Sequence, residues 1–163
     1  MQLPKGIEWS AHALVVLDCL QDQAPIPTAE LAQIYGVSLT YLSKQLQALV
    51  RHGLVISSSG PAGGFSLARP AEQITLTQVV EAVQGPRPLF HCAEIRCQGI
   101  FREQVTQITA GGPCRIAAAM HQAEHAWRSS LETITIRDLA QGVDVTSRQQ
   151  MLESLTTQHG RSE

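Results

Sequence analysis

Residues 25–53 constrain this chain more tightly than any other stretch. Pro25-Ile-Pro27 closes a connection, and Thr28 is placed to cap a short helix with Glu30 and Leu31 in its first turn. Gly36 breaks that helix, Val37 closes the turn, and Ser38 caps a second helix from Leu39 to about His52. Leu42, Leu46, Leu49 and Val50 recur at helical spacing and give this helix a buried stripe, which leaves Thr40, Tyr41, Ser43, Lys44, Gln45 and Gln47 for its exposed side. Two short helices joined by a Gly-containing turn, the second with a polar outer face, predict a helix-turn-helix. Residues 54–59 then read as a strand, Gly60 to Gly64 as a loop, and Phe65 to Arg69 as a returning strand with in–out alternation. The expected fold is therefore mainly α with a small β wing.

The flanks extend this unit. Ile7 to Gln21 reads as a first helix, with apolar rows Ile7/Ala11/Leu14 and Trp9/Ala13/Val16/Leu20. A third helix is expected from Leu76 to about Gln84, capped by Thr75. The winged helix-turn-helix domain is then residues 1–85. Gly85-Pro86 and Pro88 open a segment with no convincing strand or helix period before Pro113. The longest helix follows, from about Cys114 to Thr133. Its apolar row Ile116, Met120, Ala123, Trp127, Leu131 and Ile134 alternates steps of three and four, as a coiled-coil seam does. So short a chain has little else to cover that face, and two copies packed together would bury it in a homodimer suited to palindromic DNA half-sites. Thr135 to Gly142 suggests a short docking helix. Residues 143–163 are polar, at most a marginal helix with Met151, Leu152 and Leu155, and are expected to fray.

Three of the four cysteines, Cys92, Cys97 and Cys114, fall in residues 86–114. Thiols confined to a loop that turns abruptly into a helix are placed for chemistry more than for packing. Cys114 would lie in the first helical turn, where free N–H groups favour thiolate. A metal or cluster site, a disulfide and free thiols all fit the spacing. On the first helix Glu8 and His12 stand four residues apart, so they share a face: either a solvent-facing pair or two groups converging on one atom. Cys19 is too far along the axis to join them and reads as core, as Trp9 does by default.

Composition limits the function classes. At 44% hydrophobic and 16% charged, 163 residues make a globular chain of one core plus an appended element. No long apolar segment follows Met1, so neither a signal peptide nor a membrane span is expected. The cytoplasm is the expected compartment, where structural disulfides are rare. A net charge of −2 gives no overall attraction to nucleic acid, so binding to double-stranded DNA has to come from a local surface. Hydroxyl, amide and Lys side chains on the second helix, at Ser38, Thr40, Tyr41, Ser43, Lys44 and Gln45, are types that bond phosphates and base edges. The wing residues Ser59, Gly60 and Gly63 complete the expected interface. No nucleophile–base pair, phosphate loop or small-molecule pocket is evident, which argues against an enzyme.

These features together resemble a known family of winged-helix regulators that includes the iron–sulfur repressors IscR and NsrR. The resemblance rests on Tyr41-Leu-Ser-Lys-Gln-Leu, His52-Gly-Leu-Val55, Gly63-Gly-Phe-Ser-Leu-Ala-Arg-Pro70, Ile74-Thr-Leu76 and Val80-Glu-Ala-Val-Gln-Gly85, and covers roughly residues 1–140. Within the family the chain looks most like the branch of the redox regulator RsrR. That likeness implies a [2Fe–2S] cluster between subunits, held by two loop cysteines of one and a Glu and a His from the first helix of the other. Glu8 and His12 match the first-helix pattern, Cys97 and Cys114 are the loop counterparts, and Cys92 is an alternative ligand. It also implies a redox-responsive repressor, with His12 able to take a proton on reduction and Trp9 placed to relay a shift toward the DNA-reading helices. Ser59 stands where many relatives carry an Arg that enters the minor groove. The alternatives are a [4Fe–4S] cluster, a clusterless thiol- or zinc-sensing regulator, and a module that holds a partner enzyme.

Overall fold

Leu14, Val16, Leu46, Leu49, Ile74, Val79 and Ile136 lose all exposure to solvent and mark the centre of the core. They come from five segments of a computed structural model that describes residues 3–159, and side chains through residue 155. Helix α1 (Lys5–Cys19) runs through the middle and packs on α3 (Leu39–Arg51), α4 (Leu76–Gln84) and α7 (Ile136–Gln141). Ten of its fifteen residues are buried, so its pattern is closer to a fully enclosed helix than to an amphipathic one. Helix α2 (Thr28–Tyr35) ends at Gly36 in the left-handed conformation, with φ 62°, which a side chain would strain. Its start differs from expectation. Thr28 makes no side-chain cap, and the N–H groups of Glu30 and Leu31 donate to the Pro27 carbonyl instead. The caps expected at Ser38 and Thr75 are present, the latter as a full capping box with Gln78.

Strands β1 (Val55–Ser58) and β2 (Gly64–Leu67) pair antiparallel, Val55 opposite Leu67 and Ser58 opposite Gly64. Ile26, between its two prolines, exchanges both backbone hydrogen bonds with Phe65, at 2.9 and 2.8 Å. Gly64 makes this approach possible, because a Cβ there would run into the Ile26 backbone. A second backbone exchange joins the entries of α4 and α7: Leu76 N–H donates to the Ile134 carbonyl and Ile136 N–H to the Ile74 carbonyl.

The chain divides into two compact units, residues 86–130 by themselves, and the residues up to 85 with those from 131 onward. In the second of these, the stretch expected to be a polar tail is a four-turn helix, α8 (Val145–His159). Asp144 caps it, accepting from Ser147 N–H at 2.9 Å. Leu155 is buried at 6% exposure, Met151 and Leu152 pack against the core, and Arg148 Nε donates to the Cys19 carbonyl at 2.7 Å. Three apolar side chains and one anchoring guanidinium give this polar helix the tertiary packing its composition concealed. The expected fraying of the last residues concerns positions 160–163, outside the described residues.

The unit of residues 86–130 also departs from expectation. The supposed loop contains 3-10 turns at Ile95–Cys97 and Gly99–Gln104 and a short helix, α5 (Val105–Ala110). None of these has a buried residue, so no apolar period existed to announce them. Helix α6 (Arg115–Glu132) follows. Glu124 accepts from Leu89 N–H at 3.0 Å and pairs with Arg128, whose Nη2 donates to the Arg87 carbonyl, so two α6 side chains pin the start of the cysteine segment.

Candidate nucleic-acid interface and thiol site

The N-terminus of α3 presents Ser38, Leu39, Thr40 and Tyr41 to solvent, with Lys44 and Gln47 on the same exposed side and Ser43 half-buried. The Ser38 hydroxyl accepts from Tyr41 N–H at 3.4 Å, so its oxygen serves the helix start. Gln45 is a correction. It is 6% exposed and lies against Gly6 of α1, where a Cβ would come within 2.8 Å of its carboxamide. Position 45 follows Leu42 by three and precedes Leu49 by four, which puts it on the buried face. Ser59 and Gly60 are exposed at the wing turn, and Gly63 N–H donates to the Gly60 carbonyl at 2.9 Å. Lys5, Lys44 and Arg51 are exposed, whereas Arg69 donates to Gln78 at 3.0 Å and braces the α4 cap.

On α1, Glu8 and His12 are both exposed, one turn apart. The His12 ring lies 4.9 Å from that of Tyr35, tilted by 54°. Trp9 is half-buried and meets Tyr41 edge-on at 4.9 Å, a contact between the first helix and the start of the exposed face of α3. Glu8, Trp9, His12, Tyr35 and Leu42 line a cavity of about 230 Å³. Tyr35 was invisible to sequence reasoning, since one aromatic at the end of a short helix carries no pattern. Cys19 is buried as expected, its thiol directed at the Ala140 carbonyl at 4.0 Å.

In the other unit Cys92, Cys97 and Cys114 are free, partly exposed thiols. Cys114 immediately precedes α6, and its carbonyl accepts from Ala118 N–H. Its thiol is held below the usual value chiefly by hydrogen bonds from the N–H groups of Ala117 and Ile116. A hydrogen bond with Cys92 and the Arg96 guanidinium add to this, against partial desolvation. Arg96 also donates to Glu94 at 2.8 Å and to the Gly112 carbonyl at 2.9 Å, drawing the turn that holds Cys97 toward the residues before Cys114. A lone Arg beside Cys97 was the signal for this role, and it went unread. No group of three or more His, Cys, Asp or Glu able to hold a metal forms within the chain among the described residues. Each proposed donor is accessible at the surface of its own unit.

A family model described as Rrf2, iron-dependent transcriptional regulator, matches residues 3–142. The chain belongs to the Rrf2 family. It is a DNA-binding transcriptional regulator and not an enzyme, and its architecture is the Rrf2 winged helix-turn-helix fold. An HTH-type transcriptional regulator of Bacillus subtilis, YwgB, is 30% identical over 127 residues, 78% of this chain and 76% of that protein. Among solved structures the Rrf2 chain resembles CymR, the global cysteine regulator of B. subtilis, with a TM-score of 0.65 and 20% identity over 88% of this chain and 99% of that one. It also resembles T. potens IscR, with a TM-score of 0.63 and 19% identity over 88% and 89%. Helix α8 lies beyond the family match. No helix among the described residues is long and apolar enough to cross a membrane.

Proposed function

We propose that this Rrf2 protein is a redox-responsive repressor of the RsrR kind, which binds a palindromic operator as a two-fold dimer. In this reading Cys97 and Cys114 of one subunit, with Glu8 and His12 of its partner, hold a [2Fe–2S] cluster. The observation that carries the reading is the distribution of donors. Three thiols in one unit and an acid–imidazole pair one turn apart in the other are all solvent-accessible. The donor chemistry fits such a group: a stabilised thiolate at Cys114, a second thiol close by, and a carboxylate and an imidazole one turn apart. The exposed seam of α6, with Ile116 at 68% and Met120 at 44%, supplies an apolar face for a second copy.

Bound there, the cluster would supply a reversible one-electron change, at a potential raised by its harder ligands. His12 is able to accept a proton at its ring and so ties that electron to pH. Trp9 adjoins Glu8 in sequence and rests on Tyr41, so a shift in the first turn of α1 is felt at the DNA-reading helix. A second reading has one observation in its favour. Cys92, Cys97 and Cys114 lie in one unit as free, partly exposed thiols, and Cys92 helps hold the Cys114 thiol low, which suits a three-thiolate set of the NsrR kind, holding a [4Fe–4S] cluster.

Anaerobic purification, absorption spectra and iron analysis of single variants separate these. Cys114→Ala is expected to abolish the cluster, His12→Ala to leave at most a labile one of altered potential, and Cys92→Ala to be nearly silent. Bleaching by Cys92→Ala, with Glu8→Ala and His12→Ala unaffected, would establish the three-thiolate site. A colourless wild type that still binds DNA would leave direct thiol or zinc sensing.

A further inference from the structure

The last turn of α1, helix α7 and the start of α8 enclose a cavity of about 220 Å³ whose polar groups the reading above does not use. Asp18 lines it and is 1% exposed. Arg137 Nη1 lies 2.9 Å from Asp18 Oδ2, near enough for an ion pair but not aligned as a hydrogen bond, and neither carboxylate oxygen has a hydrogen-bond partner. Arg137 turns its Nε to Glu72 at 2.8 Å. Arg148 gives Nε and Nη2 to the Cys19 carbonyl, which leaves Nη1 for a visitor. Burial pushes the Cys19 thiol up and makes it a neutral wall; it also pushes the Asp18 carboxyl up, against the pull of the Arg137 and Arg148 guanidinium groups, which favour its charged form. Val143 and Ala140 are apolar walls.

Buried carboxylates are ordinarily hydrogen-bonded, and Asp18, ion-paired with Arg137 but with no hydrogen bond at either oxygen, has room on its cavity side for a donor. At about 30 Å³ per water, the space holds several waters or one small molecule. A simple cation would face two guanidinium groups, and a simple anion would face the Asp18 carboxylate. With Arg137 already engaged by Asp18 and Glu72, one carboxylate and the free edge of Arg148 suit a molecule that carries both charges.

We propose that this cavity binds a small α-amino acid with a short, neutral side chain, its ammonium on Asp18 and its carboxylate on Arg148. Such a ligand bridges α1 to α7 and α8 and gives the regulator an input separate from its thiols. The proposal does not rest on the cluster reading.

The test is calorimetry and thermal melting of the full-length protein with glycine, alanine and serine, each at about 10 mM. Methylamine and acetate serve as half-ligands. At least one amino acid is expected to bind and raise the melting temperature, with each half-ligand weaker by about tenfold or more. Asp18→Asn is expected to lose about tenfold or more in affinity for the same amino acid. Should that variant fail to fold, the half-ligand comparison on the wild type decides alone. No binding by any of the three amino acids, or methylamine binding as well as alanine, overturns the proposal and leaves water as the occupant.

Discussion

Lys44 and Gln45 are neighbours in sequence with opposite fates. Lys44 projects into solvent from the second turn of α3, and Gln45 is folded against Gly6. A Lys that contacts a phosphate displaces a condensed counterion, so Lys44→Ala is expected to weaken operator binding and to make the logarithmic salt slope shallower by about 1. Fluorescence anisotropy across a salt series measures both, and an unchanged slope removes Lys44 from the interface. Caps and breakers were legible one residue at a time, as Ser38, Thr75 and Gly36 show, because each acts through local backbone geometry. Gln45 was not. Its polarity outweighed a position that the helical period had already assigned to the core. The pairings of His12 with Tyr35 and of Arg137 with Asp18 were out of reach, since they join segments far apart in sequence.

Among the elements, those with a regular apolar period could be read closely: α4 matches its expected bounds, α3 ends one residue early, and α6 is a residue shorter at each end. Helices α5 and α8 were missed or underrated for the same physical reason. One has no buried residue, and the other is held by three apolar side chains, one arginine and its cap. Caps of this kind have a pH signature. Hydrogen bonds from Thr135 hold the Asp138 carboxyl below its usual value, and Ser147 does the same for Asp144. A carboxylate whose folded value lies below its unfolded one binds protons less readily in the native state. Its stabilisation is therefore complete above the unfolded value near 3.8 and is lost as pH falls through the folded one. Melting followed by circular dichroism from about pH 5 to pH 2 is expected to show a declining Tm. Asp138→Asn and Asp144→Asn should each lower Tm at neutral pH and flatten the acid limb. An acid limb as steep as that of the wild type in both variants would mean the caps contribute nothing to it.

At the scale of the whole molecule, the proposed two-fold dimer and its shared site rest on the exposed seam of α6. Met120 is 44% exposed in the single chain, so a charge there leaves the folding of that chain nearly unaffected, whereas in a dimer it would be buried against its symmetry mate. Met120→Lys is expected to sediment as a folded monomer and to lose any cluster whose ligands come from two chains. A dimer with full iron content would remove both the seam and the shared site. The wing has a different kind of constraint. Phe65 is hydrogen-bonded to Ile26 on one side, and β2 pairs with β1 on the other. Insertions and deletions within the strands would therefore break two sets of partners at once, whereas a change of length between Ser59 and Ala62 would cost only the Gly63–Gly60 turn bond. Descendants of this protein that drift toward new operators have those four positions in which to lengthen or shorten the wing, while its root stays fixed to the helix-turn-helix.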